Sequence, residues 1–244
     1  MSSQAFALLN LLLIFATAGV GFRLYVRENS NFASIRGSKL LGPRLRGWYF
    51  SNLTPFEELF VRLGVRPSTL SFSQLFVSVL AGVAYATGLI YTAGFLVLFT
   101  GTLDILDGKV ARRSNGVSRQ GAFLDSVIDR YVEYIGYVGL IVFFRSGWQV
   151  WAVLLAILGG TMVSYARARA EGLGVACELG WLQRPERFVI LGFGSIFSSV
   201  AVHLFGGQHE LLSLTVALIA VLSNVTALQR MVYASRQLAK AAHG

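Results

Sequence analysis

The chain carries two adjacent apolar runs, TAGFLVLFTGTLDILDGKV (Thr92–Val110) and FLDSVIDRYVEYIGYVGLIVFF (Phe123–Phe144), and aspartates interrupt both. Each run is long enough to cross a bilayer as a helix, which takes about 20 residues. Similar apolar runs occur elsewhere, at Phe6–Val26, Leu70–Ile90, Val150–Ala166, Phe188–Phe205 and Leu211–Tyr233. The sequence therefore predicts an all-α integral membrane protein with seven transmembrane helices.

The composition excludes an ordinary soluble domain. Of 244 residues, 55% are hydrophobic and 14% charged, and the mean hydropathy is +0.61. Such an inventory cannot cover a water-exposed surface. One Cys and three scattered His also exclude a disulfide framework and a zinc site.

The net charge of +9 is explained by membrane topology. With the N-terminus outside, every Lys and Arg except Arg145 falls on the inner side, as the positive-inside rule requires. No nucleic-acid partner is needed. The first run could instead be a signal peptide cleaved near Ala16–Ala18, but no base precedes it and it continues to Val26, which favours an uncleaved helix.

Two segments between the first and second runs are predicted to contact membrane lipids. Arg27–Gly47 is basic and polar, which is typical of a linker beside anionic headgroups. Leu53–Leu63 has an amphipathic pattern, with Asn52 or Thr54 as its expected N-cap. It is predicted to lie in the membrane interface.

Four aspartates stand in or beside the two central runs, namely Asp104, Asp107, Asp125 and Asp129. A charge in the bilayer centre costs at least about 2.5 to 3.5 kcal/mol, so intramembrane acids mark functional sites. The i, i+3 and i, i+4 spacings place each pair on one helix face, and the turn at Arg113–Gln120 brings the faces together. Such oxygen ligands suit Mg²⁺ or Mn²⁺, and two ions would clamp phosphate oxygens.

Small residues accompany the aspartates at helical spacing. Gly108 and Ala111 follow the first pair, and Gly121 precedes Asp125 by one turn. Larger side chains there would block a ligand that approaches the backbone. Together these residues spell Asp104-x-x-Asp107-Gly108-x-x-Ala111-Arg112, eight residues, Gly121, three residues, Asp125, three residues, Asp129.

This pattern resembles the signature of the CDP-alcohol phosphotransferase family at every specified position. The resemblance runs from about Pro55 to the C-terminus and implies a core of six membrane helices with an interfacial helix. The first run has no counterpart in the family core. We therefore expect an N-terminal region at 1–50, with one extra transmembrane helix, and a phosphotransferase domain at 51–244.

The resemblance implies a reaction in which an alcohol displaces CMP from a CDP-alcohol. The four aspartates would hold two metal ions, and Asp129 would also act as general base. The implied contacts with the CDP group are Asp104, Asp107, Gly108, Ala111, Arg112 and Gly121, with Thr69, Ser118 and Arg119 as secondary candidates. The hydroxyls of Ser68, Thr69 and Ser118 have a competing interpretation as helix caps or turn residues. The family also implies a homodimer.

A second group of residues, Ser164, Arg167, Arg184 and Arg187, resembles prokaryotic phosphatidylinositol-phosphate synthases and their archaeal relatives. A Lys commonly stands at the Arg167 position in those enzymes, and Arg keeps the charge but changes its geometry. The resemblance implies that these residues bind the phosphate of inositol phosphate and that CDP-diacylglycerol is the donor. Membrane topology alone would also place arginines at inner helix ends.

The sequence is also compatible with other acceptors and with another class of membrane protein. The acceptor could be glycerol phosphate or serine, or the soluble partner could carry the CDP group. An ion or proton transporter also uses intramembrane acids, but typically on broken helices at the bilayer midplane. The two aspartate-bearing runs contain no Pro, and their acids cluster at the inner ends, which argues against transport. The active site is expected to face the cytoplasm of a prokaryotic plasma membrane.

Overall fold

The computed structural model describes residues 17–26, 42–114, 116 and 118–241. Residues 17–26 are helical, and the longer helices are α1 (Gly42–Arg62), α2 (Pro67–Ala86), α3 (Ile90–Arg113), α4 (Arg119–Phe144), α5 (Trp148–Gly172), α6 (Arg184–Phe205) and α7 (Glu210–Ala241). Every regular element in these ranges is a helix, which confirms the all-α fold. The predicted first span and the basic linker lie largely outside the described residues.

The helices extend beyond the apolar runs at their charged ends. α3 continues to Arg113, and α6 begins at Arg184 instead of Phe188. Hydropathy alone cannot detect a helical turn that carries arginines. The predicted run Leu70–Ile90 is wrong at its C-terminal end, because the chain turns at Gly88 (φ +80°) and Ile90 already belongs to α3.

Helices α2 to α7 pack as a closed ring. α2 contacts α3 and α4, α4 contacts α5, α5 contacts α7, α7 contacts α6, and α6 returns to α3. Glycines allow two of these approaches: a Cβ at Gly139 would collide with the Gly82 carbonyl, and one at Gly94 would lie 2.7 Å from the Gly192 oxygen. Small residues serve this purpose in membrane helices, where lipid and side chains are equally apolar.

Five of the described helices are long and apolar enough to cross a membrane, namely α2, α3, α5, α6 and α7. The 26-residue α4 occupies the ring as well but carries Asp129, Arg130 and Glu133 within its apolar part. Large apolar side chains such as Phe76, Phe99 and Trp151 remain exposed on the bundle surface. This is the surface expected of an integral membrane protein.

The predicted interfacial helix is longer than expected. α1 starts at Gly42, so the predicted N-caps Asn52 and Thr54 are wrong, and both side chains instead donate to carbonyls four residues earlier. The helix also runs without a break past residue 50. The division of the chain into regions 1–50 and 51–244 stays a prediction.

Ion pairs join one side of α1 to α3. The Glu57 carboxylate lies 2.8 Å from Lys109 Nζ and 3.4 Å from Arg113 Nη1. Burial raises the pKa of the Glu57 carboxyl, but these two cations outweigh burial and leave that pKa below its ordinary value. Phe56, Leu59 and Leu63 remain exposed, which is the amphipathic arrangement that an interfacial helix requires.

Candidate metal and phosphate site

The predicted aspartate cluster forms where the C-terminal half of α3 faces the N-terminal half of α4, with α2 packed against both helices. Ligand oxygens of Asp104, Asp107 and Asp125 all lie within 4.8 Å of one another. The short connection between α3 and α4 places the last turns of one helix at the same level as the first turns of the next, and α2 packs against both helices. Three carboxylates this close repel one another strongly unless a cation joins them.

Helix α2 supplies polar partners that the sequence interpretation missed. Ser71 Oγ donates to Asp107 Oδ2 at 3.1 Å, and Gln74 Nε2 lies 3.5 Å from Asp104 Oδ1. Gln74 is fully buried. The available signal was the spacing of Ser71, Gln74 and Ser78 along one face of an otherwise apolar helix. These side chains orient the carboxylates, as outer-sphere groups do in metal sites.

Asp129 lies outside the three-carboxylate cluster and shares an arginine with Asp104. Its Oδ2 forms an ion pair with Arg184 Nη1, and the same nitrogen lies 2.6 Å from Asp104 Oδ1. The guanidinium also stacks over the Phe188 ring, 5.2 Å from its centroid. Arg184 thus links α6 to both aspartate-bearing helices and supplies a positive charge at the edge of the cluster.

The residues fit a divalent metal. Asp125 Oδ1 and Asp129 Oδ1 are buried and have no hydrogen-bond partner within the described part of the chain, although buried carboxylate oxygens are normally satisfied. All candidate ligands are hard oxygen donors, which Mg²⁺ and Mn²⁺ prefer. A cation that accepts these free lone pairs would also relieve the repulsion within the cluster.

The predicted nucleotide residues border open space beside the cluster. A Cβ at Gly108 would meet only the Arg112 guanidinium, at 3.4 Å, and one at Gly121 would meet only Ser118 Oγ, at 3.0 Å. Helix packing therefore does not explain these glycines. Ala111 lies on the same helix and is half-buried. The side chains at Gly108 and Ala111, on the α3 face beyond Asp107, are therefore small.

The secondary candidates are placed at helix starts. Ser118 is the N-cap of α4, and its Oγ accepts a hydrogen bond from the Gly121 amide, which supports the capping interpretation. The expected caps at Ser68 and Thr69 are wrong, because Arg66 occupies the N-cap of α2 without a side-chain hydrogen bond. Thr69 and Arg119 are both exposed.

The structure separates the predicted acceptor residues. Arg184 reaches the aspartates, whereas Arg187 is buried against Glu133, with bonds of 2.6 and 2.9 Å. Arg167 pairs with Glu171 at the surface, 2.8 Å away. Ser164 Oγ donates to the Gly160 carbonyl of its own helix.

Fold and site together define a helical membrane protein with a group of carboxylates at one end of the bundle whose oxygens could hold a divalent metal. The CDP-alcohol phosphatidyltransferase family matches residues 65–225. The chain belongs to this family, and it is a transferase that depends on a divalent metal.

Similar proteins include enzymes of bacteria and archaea. The archaetidylinositol phosphate synthase of Methanothermobacter thermautotrophicus is 33% identical over 72% of this chain and 87% of its own length. The phosphatidylinositol phosphate synthase of Streptomyces avermitilis is 32% identical over 84% of this chain and 86% of its own length.

Solved structures of a third relative share the fold. The phosphatidylinositol phosphate synthase of Mycobacterium tuberculosis, with CDP-DAG bound, matches with a TM-score of 0.66 at 30% identity, over 74% of this chain and 92% of that one. The same enzyme in complex with manganese and citrate gives a TM-score of 0.65, over 74% and 88%. These matches confirm the predicted family and fold.

Proposed function

We propose that the chain transfers the phosphatidyl group of CDP-diacylglycerol to a hydroxyl of inositol phosphate. The acceptor oxygen forms a bond to the β-phosphorus, on the lipid side of the donor's diphosphate, the bond to the CMP oxygen breaks, and CMP leaves. The products are phosphatidylinositol phosphate and CMP. Family membership and the names of three relatives support this assignment.

The three clustered aspartates are assigned to the metal, and Asp129 is assigned two contributions. Asp104, Asp107 and Asp125 would hold the divalent metal, and Asp129 would complete a second ion site. Bound Mg²⁺ or Mn²⁺ would supply positive charge to the diphosphate oxygens. Asp129 Oδ1 is buried and unpaired, so it is suited to accept the proton of the acceptor hydroxyl. The open faces at Gly108, Ala111 and Gly121 admit the cytidine and diphosphate, beside Arg112.

The observation that carries the acceptor assignment is the free edge of Arg184. Its Nη1 contacts the two aspartates, while Nε and Nη2 are buried and have no hydrogen-bond partner among the residues that the structure describes. These two nitrogens form one edge of the guanidinium, which matches two oxygens of a phosphate. The carboxylate of a serine acceptor and the phosphate of glycerol phosphate could take the same contact. Both are therefore acceptors that the experiments must separate from inositol phosphate.

The continuous helices support an enzyme over a transporter. α3 and α4 run unbroken through the aspartates, from Ile90 to Arg113 and from Arg119 to Phe144. Transporters commonly place their ion ligands on unwound segments, where backbone carbonyls are free.

Loss of the Arg184 charge is expected to weaken acceptor binding selectively. Arg184→Gln should raise the KM for inositol phosphate about tenfold to a hundredfold, because a charge-assisted hydrogen bond is worth roughly 1.5 to 3 kcal/mol. The KM for CDP-diacylglycerol and the metal requirement should change little. Arg145→Gln is the matched control, since Arg145 lies at the far end of α4. An unchanged acceptor KM in Arg184→Gln would contradict the assignment.

The proposal includes a location and an assembly. The active site faces the cytoplasm of a prokaryotic plasma membrane, because the bases near it fall on one side of the predicted topology. The functional unit is a homodimer, as the family resemblance implies.

Cysteine labelling tests the orientation. The native Cys177 is buried, which keeps the background low. A membrane-impermeant maleimide should label a Cys introduced at Ser146 in intact cells. It should label one at Ser235 only after permeabilisation, because the two positions lie at opposite ends of the bundle. The reverse pattern would place the active site on the outer face.

A further inference from the structure

We propose that Glu133 is a positioning residue that holds Arg187 in place for the acceptor phosphate. The inference rests on the proposed function and adds a residue to it. Glu133 lies one turn beyond Asp129 on α4, and Arg187 lies one turn beyond Arg184 on α6. The pair therefore forms the next layer of the bundle behind the aspartates.

The contact is bidentate and enclosed. Arg187 Nε donates to Glu133 Oε1 at 2.6 Å, and Arg187 Nη2 donates to Oε2 at 2.9 Å. Only 2% of the Arg187 side chain and 7% of the Glu133 side chain are exposed. Two parallel bonds fix both the position and the plane of the guanidinium, which a single bond would not do.

The pair leaves donors unused. In the described ranges, Arg187 Nη1 is buried without a hydrogen-bond partner, and so is Arg130 Nη1 of the neighbouring arginine, which lies 3.8 Å from Glu133 Oε2. Buried guanidinium nitrogens are normally paired, so these donors indicate that an oxyanion completes the group. The Glu133 charge offsets part of the repulsion between the neighbouring arginines. Because Nε and Nη2 of Arg187 bond to Glu133, its Nη1 points away from that carboxylate.

The packing around the pair is close on one part of its surface and leaves a small cavity on another. A cavity of about 20 Å³ borders both side chains and is lined by Val97, Gly136, Tyr137 and Leu191. On the opposite side α5 makes room with a glycine, since a Cβ at Gly160 would lie 2.9 Å from Glu133 Oε1 and 3.4 Å from Arg187 Nε. Without the Glu133 carboxylate, the Arg187 guanidinium would be able to move into this cavity and away from the acceptor phosphate.

Two variants of the purified full-length chain test the role. Glu133→Gln removes the charge, and Gly160→Ala displaces the pair while keeping both charges. We expect the KM for inositol phosphate to rise about tenfold in the first and about threefold in the second, with the KM for CDP-diacylglycerol within about twofold of wild type. Glu133→Asp, which keeps one carboxylate bond, should fall between wild type and Glu133→Gln. Gly172→Ala, at the end of the same helix as Gly160 and with nothing near its Cβ, is the control.

The outcomes separate the positioning role from a structural one. A lower melting temperature with unchanged acceptor KM in Glu133→Gln and Gly160→Ala would overturn the proposal, because a structural pair affects the amount of folded enzyme and not its affinity. If Glu133→Gln does not fold, Gly160→Ala alone decides. A wild type that does not use inositol phosphate would overturn the proposed function and this inference with it. If the wild type uses inositol phosphate and the variants keep its KM for that acceptor, only this inference is overturned.

Discussion

Replacing Asp107 or Asp125 by Asn is expected to lower turnover by at least about a hundredfold. The amide keeps the shape of the side chain but loses the charge that a divalent ion requires. Asp107, Asp104 and Asp125 converge within 4.8 Å, so each replacement removes a ligand from the same centre. A hundredfold loss corresponds to about 2.7 kcal/mol, within the several kcal/mol that a metal clamp contributes to phosphoryl transfer.

The metal must be measured together with the rate. We expect Mn²⁺ affinity, followed by electron paramagnetic resonance of the detergent-solubilised protein, to fall in both variants. Glu58→Gln is the control, since Glu58 carries an exposed acid that pairs with Arg113 at the surface. Full turnover by Asp107→Asn or Asp125→Asn would contradict the proposal that these aspartates hold the metal.

Asp129→Asn is expected to act on the chemical step. A positioned general base contributes about 10²- to 10⁴-fold, and an amide cannot take up the acceptor proton. Arg184 would keep its contact with Asp104, 2.6 Å away, so the local packing should survive. We expect kcat to fall by that factor, while the KM for CDP-diacylglycerol stays within about threefold.

Single-turnover kinetics with preloaded CDP-diacylglycerol separate the chemical step from product release. An equal loss of metal affinity, donor affinity and rate would make Asp129 a ligand without a role as base. Asp104→Asn provides the comparison, because Asp104 contacts the same arginine but belongs to the three-carboxylate cluster.

Much of the fold follows from local patterns. Long apolar runs give the helices, and the turn between α3 and α4 brings Asp104 and Asp107 to Asp125 because the spacing puts each set on one face. The start of α1 at Gly42 was not predictable in this way. Its first turns are polar and basic, and contacts with α3, such as the Tyr49 to Thr102 hydrogen bond, stabilise them.

The missing parts of the site depend on contacts between helices distant in sequence. Glu133 and Arg187 are separated by 53 intervening positions and meet only because the ring closes. Gln74 reaches Asp104 from the preceding helix, a contact that the pattern within one helix does not show either. Sequence spacing shows which residues share one helix face, but not which other helix that face meets. The same reason explains why Arg167, Arg184 and Arg187 were grouped together, although only Arg184 contacts the aspartates.

The central claim is transfer of a phosphatidyl group to inositol phosphate. Purified protein should be incubated with CDP-diacylglycerol, Mg²⁺ or Mn²⁺, and radiolabelled inositol phosphate, glycerol phosphate, serine or unphosphorylated inositol in separate reactions. We expect label from inositol phosphate to enter the lipid fraction, with one CMP released for each lipid formed. Efficient incorporation of another acceptor in place of inositol phosphate, or no metal-dependent release of CMP with any acceptor, would contradict the account.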